Sequence, residues 1–259
     1  MSTAVVTGAG RGIGAAVARA LAGDGWQLVL VDACADNPAV DYPLATRDEL
    51  EAVAAECAGV AVVGDVRNQA DLDRAVATAE ATYGGLDAAV AVAGILVGGT
   101  PVWEMAEEVW SALLAVNLEG VWRLARAAVP ALLRRPEPRQ GRFVAVSSEG
   151  GLLGLPLLAA YSASKHGVIG LVKSLAAELG RTGITANLVC PGSTATAMLD
   201  ASARVYGLAS AEEFSVHHPT GRLLRPEEQA AAVRFLLSPE ASGLTGAVIP
   251  VDSGMSSSP

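Results

Sequence analysis

Tyr161 and Lys165 are the residues of this chain whose types and spacing point most directly to chemistry. They lie four residues apart at the start of an amphipathic segment, so a helix would place the phenol and the ammonium on one face. A tyrosine with a solution pKa of about 10 is a poor base at neutral pH, and an adjacent lysine together with another positive charge would stabilise its phenolate. Lysine is rare in the chain, with two copies among 18 basic residues. The pair predicts an acid/base site, and an exposed pair formed by chance is the alternative.

Ser148 and Asn117 are two further polar candidates. Ser148 lies thirteen residues before Tyr161 at the end of a predicted strand, where open α/β sheets place ligands. Its hydroxyl could donate to the carbonyl oxygen that Tyr161 also reaches, and the adjacent Ser147 is expected to point to the other face. Asn117 falls within a long apolar helix, where an amide is costly unless it is hydrogen-bonded. A water relay beside Lys165 explains it, and a structural, helix-bending amide is the alternative.

A glycine-rich turn follows the first predicted strand and reads Thr7-Gly8-Ala9-Gly10-Arg11-Gly12-Ile13-Gly14. Glycines at a strand-to-helix turn let the main chain approach a pyrophosphate, whose charge meets the positive end of the helix. The second strand ends at Asp32, whose carboxylate would bind ribose hydroxyls and repel a 2′-phosphate. The sequence therefore favours NAD over NADP, although Arg11 could bind such a phosphate. Asp65, which ends the third predicted strand, is a candidate for contact with the adenine edge.

Short apolar runs alternate with longer helical patterns along the whole chain, which is typical of βαβ units around a parallel sheet. The predicted strands cover residues 3–7, 27–32, 60–65, 88–92, 142–147, 185–190 and 247–251. Two long helices are predicted over 104–134 and 160–181. Two segments are longer than the short loops that an alternation of strands and helices requires. Residues 33–46 form an insertion with two X-Pro pairs, ending in a helix-capping box at Thr46-Arg-Asp-Glu49, and about 193–224 form an expected mobile lid with short helices.

Composition excludes several classes of protein. The 259 residues are 51% hydrophobic and 17% charged with a net charge of −9, which indicates a globular core and argues against nucleic-acid or anionic-membrane partners. No apolar run is long enough to span a bilayer. Three scattered cysteines form no metal or disulfide pattern, so a reducing cytoplasm is the expected location. His217-His218 lacks a third ligand nearby, and no metal site is predicted.

The high hydrophobic and low charged content of the chain also bears on how the two long helices are packed. Six apolar residues nearly encircle the second one, namely Val168, Ile169, Leu171, Val172, Leu175 and Ala176. A helix that is apolar on several sides needs more than one partner. We therefore expect these helices to pack against other copies of the chain.

Taken in order, these motifs resemble the classical short-chain dehydrogenase/reductase family over essentially the whole chain. The matching pieces are the glycine-rich turn, the four polar residues above, Pro191-Gly192-Ser-Thr-Ala-Thr196 and Val251-Asp-Ser-Gly254. The resemblance implies one Rossmann-type domain over 1–259, a three-layer αβα sandwich with a seven-stranded parallel sheet, assembled as a homotetramer. The chain departs from the family at Ala91-Val-Ala-Gly94, which lacks two strand-bracing asparagines, and at Ser253-Gly254, where the family has two glycines.

The resemblance also assigns roles to individual residues. It implies that Tyr161 is the acid/base, Ser148 orients the substrate oxygen, Lys165 binds the nicotinamide ribose and Asn117 holds a relay water. Thr194 and Thr196 would meet the carboxamide and phosphate region. The full implied cofactor set is Gly8, Arg11, Gly12, Ile13, Gly14, Asp32, Ala33, Asp65, Val66, Ala93, Gly94, Tyr161, Lys165, Pro191, Gly192, Thr194 and Thr196.

The insertion is similar to that of the carveol dehydrogenase-type, mycofactocin-associated subgroup. That similarity implies tightly held, non-exchanging NAD(H) and mycofactocin as the external electron acceptor. The expected substrate is a small hydrophobic secondary alcohol or its ketone, contacted by Met198, Leu199, Tyr206 and Phe214 of the lid. The alternatives are an ordinary alcohol dehydrogenase with exchanging NAD, an NADPH-dependent ketoacyl-thioester reductase and a non-catalytic dinucleotide-binding regulator.

Overall fold

Seven parallel strands form one twisted sheet at the centre of the molecule. The structure is a computed structural model that describes residues 1–257, so the last two residues of the predicted domain lie outside it. The strand order is β3-β2-β1-β4-β5-β6-β7, which confirms the predicted Rossmann-type α/β fold. The strands are β1 Thr3–Thr7, β2 Gln27–Asp32, β3 Val60–Val63, β4 Ala88–Ala91, β5 Arg142–Val146, β6 Thr185–Pro191 and β7 Val248–Val251.

Residues 1–257 contain eight α-helices, most of which cover the two faces of the sheet. They are α1 Gly12–Gly23, α2 Arg47–Glu56, α3 Gln69–Tyr83, α4 Glu107–Leu114, α5 Gly120–Arg134, α6 Ala159–Glu178, α7 Ala197–Val205 and α8 Pro226–Leu237. Side chains alternate across each strand, so Val5 packs under the α3, α5 and α6 layer, while Val6 packs under α1, α2 and α8. Both layers are almost wholly apolar, as expected for a parallel sheet buried on both faces.

The first long helix differs from the prediction of 104–134. Its α-helical part begins at Glu107, after a separate 3-10 turn at Val102–Glu104. A π-helical turn, Ala115–Glu119, then separates α4 from α5. Asn117 lies within this turn and is fully buried. An apolar periodicity does not reveal one extra residue per turn, so the interruption was missed; such turns occur often at functional sites.

The apolar residues of the second long helix, α6, are more buried within the subunit than the composition of the helix indicated. Val168, Val172 and Ala176 are buried inside the subunit, whereas Ile169, Leu171 and Leu175 are only partly buried. The helix therefore keeps one apolar side partly open rather than being apolar and exposed all round. No helix within residues 1–257 has the length and apolarity needed to cross a membrane.

The two segments outside the minimal alternation both lie over the carboxyl end of the sheet. Residues 33–46 contain neither helix nor strand, and the predicted capping box follows them: Glu49 N donates to Thr46 Oγ1 at 3.2 Å, and Thr46 N donates to Glu49 Oε2 at 2.7 Å. Residues 193–224 contain α7 and a 3-10 helix, Ala211–His217, which confirms the short helices predicted there. Leu199, Ala203 and Phe214 form a small apolar core of their own between these two helices.

Candidate active site

The carboxyl ends of the strands open into one cavity of about 950 Å³. Among the four predicted catalytic residues, Ser148, Tyr161 and Lys165 line this cavity, whereas Asn117 is buried behind its wall. All seventeen predicted cofactor residues line it, and so do Met198, Leu199, Tyr206 and Phe214. The structure thus brings together groups from every part of the chain.

The glycine-rich turn brings the main chain close to the cavity. Gly8 has a φ of +68°, and a Cβ there would lie 2.7 Å from Ala93 Cα. Helix α1 begins directly after the turn, and the side chain of its N-cap residue, Arg11, makes no capping hydrogen bond. The first amide groups of α1 therefore remain free to bind an anion such as a phosphate.

Three charged side chains lie around this end of the cavity. Asp32 Oδ2 accepts a hydrogen bond from Gly10 N at 3.0 Å, which fixes the carboxylate beside the turn. Arg11 donates to the carbonyl oxygen of Pro43 in the insertion, so its guanidinium is already engaged. Asp65 forms an ion pair with Arg67, with Nη2 and Oδ2 2.6 Å apart. Of these three side chains, Asp32 is the one that hydrogen-bonds to the main chain of the glycine-rich turn.

Lys165 and Tyr161 lie on one face of α6, as the spacing predicts. Tyr161 is 6% and Lys165 4% exposed. Lys165 Nζ donates to Val146 O at 3.0 Å and lies 5.8 Å from the centre of the Tyr161 ring. Ser147 Oγ donates to Lys165 O at 2.9 Å, so this hydroxyl has a structural partner, and Ser148 is the serine available to a ligand.

Electrostatics at the site are dominated by burial. Burial raises the pKa of Tyr161 above its ordinary value and the charge of Glu149 raises it further, while the hydrogen bond between Tyr161 and Ser148 opposes both. Burial also lowers the pKa of Lys165 to about 8. These groups alone therefore do not stabilise a phenolate, and a further positive charge is required.

Asn117 uses its side chain to join three elements. Its Oδ1 accepts from Ile95 N at 2.8 Å, and Nδ2 donates to Ile95 O at 3.0 Å and to Ser164 Oγ at 3.2 Å. Both amide protons are thus committed, and one lone pair of Oδ1 is left. The side chain therefore has a structural role, and the remaining lone pair of Oδ1 is still able to accept from a water.

Several residues that shape the site were missed by the sequence reasoning. Thr7 Oγ1 accepts from Val92 N at 3.3 Å and from Ala93 N at 3.4 Å, so it braces the strand that lacks the family's asparagines. Gln229 Nε2 donates to Thr194 Oγ1 at 3.1 Å and so positions that predicted ligand. Thr7 was visible as a polar residue ending an apolar strand, but no local pattern marks Gln229.

Comparison with known proteins agrees with this geometry. A family profile described as enoyl-(acyl carrier protein) reductase matches residues 8–256. An uncharacterized NAD-dependent oxidoreductase of Mycobacterium tuberculosis is 38% identical, covering 97% of this chain and 94% of the relative. The (-)-trans-carveol dehydrogenase of Rhodococcus erythropolis is 34% identical, covering 97% and 96%. The crystal structure of carveol dehydrogenase from Mycobacterium avium in complex with NAD has a TM-score of 0.93 and 32% identity, covering 98% and 97%.

The chain belongs to the short-chain dehydrogenase/reductase family and is an NAD(P)-dependent oxidoreductase that acts on alcohols or ketones. Within that family it is similar over nearly its full length to carveol dehydrogenases, as the insertion indicated.

Proposed function

We propose that the protein interconverts a hydrophobic secondary alcohol and its ketone with NAD(H). The observation that carries this proposal is the composition of the cavity at the carboxyl ends of the strands. Its polar end holds Ser148, Tyr161 and Lys165, and the adjoining wall is apolar. The wall residues on the substrate side are Leu155, Leu158, Met198, Leu199, Tyr206 and Phe214. A substrate with a hydroxyl or carbonyl group on a compact apolar skeleton would fit both the polar end and the apolar wall of the cavity.

The residues present fit a dinucleotide. Gly12 has a φ of +56°, which favours glycine, and a Cβ on Gly94 would lie 3.3 Å from Asn117 Oδ1 and 3.5 Å from Lys165 Nζ, so glycine at both points leaves room beside the cavity. The free α1 amides would bind the pyrophosphate, Asp32 the adenosine ribose and Lys165 the nicotinamide ribose. When bound, NAD supplies a hydride-accepting carbon and a positive charge.

The chain's own residues handle the proton. In alcohol oxidation, Tyr161 as phenolate takes the hydroxyl proton while the hydride leaves the substrate carbon, and in ketone reduction Tyr161 returns the proton to the oxygen. Ser148 donates to the same oxygen and fixes its position. Lys165 retains two ammonium protons beyond its bond to Val146 O, one for the ribose and one for a water next to Asn117 Oδ1. We assign these as the catalytic roles of the four residues.

Replacing Tyr161 by phenylalanine tests this mechanism. Proton-transfer groups contribute about 10²-fold to 10⁴-fold to rate, so Tyr161→Phe should lose turnover of alicyclic secondary alcohols to that extent. NAD binding, followed by fluorescence titration, should persist. Tyr83→Phe, at the end of α3 and away from the cavity, is the control and should match the wild type. Near wild-type turnover in Tyr161→Phe would overturn the mechanism.

We also propose that NAD is held tightly and re-oxidised in place, with mycofactocin as the external acceptor. The insertion supports this, because Tyr42 is 7% exposed and its hydroxyl accepts from Leu96 N at 3.1 Å, while Arg11 binds Pro43 O. Both contacts hold the insertion against the cofactor end of the cavity.

Dialysis is the direct test of retention. The purified protein should keep NAD through dialysis and should turn over repeatedly only when an artificial electron acceptor is present. Rapid exchange with labelled NAD in solution would instead identify an ordinary alcohol dehydrogenase. This outcome would leave the assignment of the alcohol reaction intact.

Two other functions make different predictions. An NADPH-dependent ketoacyl-thioester reductase is disfavoured by Asp32 and by the lack of any Arg or Lys between residues 33 and 46. Steady-state rates with NADH and NADPH on a β-ketoacyl thioester would decide this point. A non-catalytic regulator would bind NAD and turn over no alcohol or ketone, which the complete polar tetrad argues against. We further propose a homotetramer located in the cytoplasm.

A further inference from the structure

Glu149 is a carboxylic acid inside the catalytic cavity that the proposed mechanism does not use. It follows Ser148 directly and begins a 3-10 turn, Glu149–Gly151. Its Oε2 lies 3.2 Å from Ser148 Oγ, within hydrogen-bond distance, and its side chain lines the cavity beside Tyr161. A carboxylate is an unusual neighbour in an otherwise apolar substrate pocket, because burying its charge is costly.

The hydrogen bonds of Ser148 determine what Glu149 can do. A serine hydroxyl has one proton and two acceptor lone pairs. One lone pair accepts from Gly150 N at 3.0 Å. If Glu149 is ionised, the single Ser148 proton goes to Oε2, and none is left for a substrate oxygen. If Glu149 is protonated, it donates to the second lone pair of Ser148, and the Ser148 proton is free to point into the cavity.

The groups around Glu149 favour its protonated form below about pH 7. The titratable side chains that face it are Lys165 and Tyr161 of α6, Tyr206 at the end of α7, Cys190 of β6 and Asp252 after β7. Burial raises the pKa of Glu149 to about 7, and the negative charge of Asp252 adds to this, whereas Ser148 and the Lys165 ammonium oppose it. Asp252 stays ionised because Gly254 N and Ser256 N each donate to it at 2.9 Å.

We propose that Glu149 is a positioning residue for ketone reduction: in its neutral form it donates to Ser148 Oγ and so directs the Ser148 hydroxyl to the substrate carbonyl oxygen. This inference rests on the proposed function. Glu149 and Ser148 both keep their protons during the reaction. Tyr161 supplies the proton and NADH the hydride, so the balance of the reaction is unchanged.

The proposal predicts a specific pH dependence of ketone reduction. As pH rises through about 7, Glu149 ionises and captures the Ser148 proton, so kcat/KM for reduction should fall by up to about tenfold per pH unit. Glu149→Gln keeps a neutral donor in the same place. We expect it to stay within about twofold of the wild type at about pH 6 and to lose the fall near pH 7. Glu149→Ala should be about tenfold slower at all pH values, because it removes the donor.

Two further variants separate this role from a merely structural one. Glu178→Gln, an exposed carboxylate at the end of the same helix α6, should retain the wild-type pH profile. In a Ser148→Ala background, Glu149→Gln should have no further effect, because Glu149 acts through Ser148. A Gln variant that keeps the fall near pH 7, or that is as slow as the Ala variant, would overturn the proposal.

Infrared difference spectroscopy gives a readout that needs no turnover. The wild type at about pH 6 should show a carboxylic acid C=O band that disappears on titration through about pH 7 and is absent in Glu149→Gln. If the wild type reduces no ketone, the proposed function fails while this band still reports the protonation of Glu149. If the ketone is reduced but the band is missing at acidic pH, the proposal for Glu149 fails alone.

Discussion

Two carboxylic acids lie at opposite ends of the cavity and have different surroundings. Asp32 is fixed beside the glycine-rich turn by Gly10 N. Glu149 lies beside Ser148 and the apolar substrate wall, where burial raises its pKa. Residue type alone does not separate these roles. We propose that these neighbours make one carboxylate a charged selector of the cofactor and the other a neutral donor.

Asp32→Asn tests the selector role. The amide keeps an acceptor for Gly10 N but loses the charge that repels a 2′-phosphate. The ratio of kcat/KM for NADPH to that for NADH should rise by at least about tenfold, equivalent to about 1.4 kcal/mol. Asp36→Asn, in the insertion, is the matched control and should leave the ratio unchanged. An unchanged ratio in Asp32→Asn would show that another group selects the cofactor.

At the scale of elements, the insertion at residues 33–46 is held in place although it contains neither helix nor strand. Asp36 Oδ1 accepts from Leu44 N at 2.9 Å and Asn37 Oδ1 from Ala39 N at 3.0 Å, so side chains replace the main-chain bonds of a helix or strand. Tyr42 then ties the segment to Leu96 after β4. An irregular segment held by a few side chains opens by losing a few bonds, which suits a cover over a cofactor.

Tyr42→Phe tests whether this contact holds the cover closed. Losing the hydroxyl leaves Leu96 N without its acceptor, at a cost of about 1–3 kcal/mol. We expect NAD to dissociate about tenfold faster, measured by stopped-flow fluorescence. The same change at Tyr83, outside the cavity, should leave the rate unaltered. An unchanged dissociation rate in Tyr42→Phe would show that other contacts retain the cofactor.

At the scale of the whole molecule, large apolar side chains remain on the surface of the isolated subunit. Trp110 on α4 is 40% and Trp122 on α5 is 44% exposed. These helices lie in the same layer as α6, whose Ile169, Leu171 and Leu175 are only partly buried. Low surface charge and exposed tryptophans together support burial of this layer between subunits.

A single charge in this layer should therefore disrupt assembly. We expect sedimentation velocity to show a tetramer for the wild type and smaller species for Trp110→Glu, because a buried unpaired charge is strongly unfavourable. Trp103→Glu is the control, since Trp103 is 80% exposed but lies in the 3-10 turn before α4. A monomeric wild type, or equal dissociation in both variants, would contradict the assignment of the interface to these helices.

Much of the fold and part of the site followed from local patterns. Apolar strand runs, the glycine-rich turn and the Thr46 capping box are local signals, and each has the structure it predicted. Strands β1 and β2 match the prediction at both ends, whereas each of the other five differs at one end by one or two residues; β3, for example, ends at Val63 rather than 65. The π-helical turn at Asn117 was not predicted, and the bonds that Asn117 makes there join it to Ile95, 22 residues away in the chain.

The sequence by itself determined the parallel sheet, the order of its elements and the group of polar residues brought to its carboxyl end. The sheet and its elements follow from periodicity and spacing, which act over a few residues, whereas the grouping of all four polar residues in one site is what the family resemblance implied. Only the tertiary structure decided which atoms each polar group meets. It showed that Asn117 hydrogen-bonds to Ile95, that Thr7 hydrogen-bonds to Val92 directly after β4, and that Glu149 lies within hydrogen-bond distance of Ser148. The reason is physical, because hydrogen bonding and burial depend on neighbours far apart in the chain.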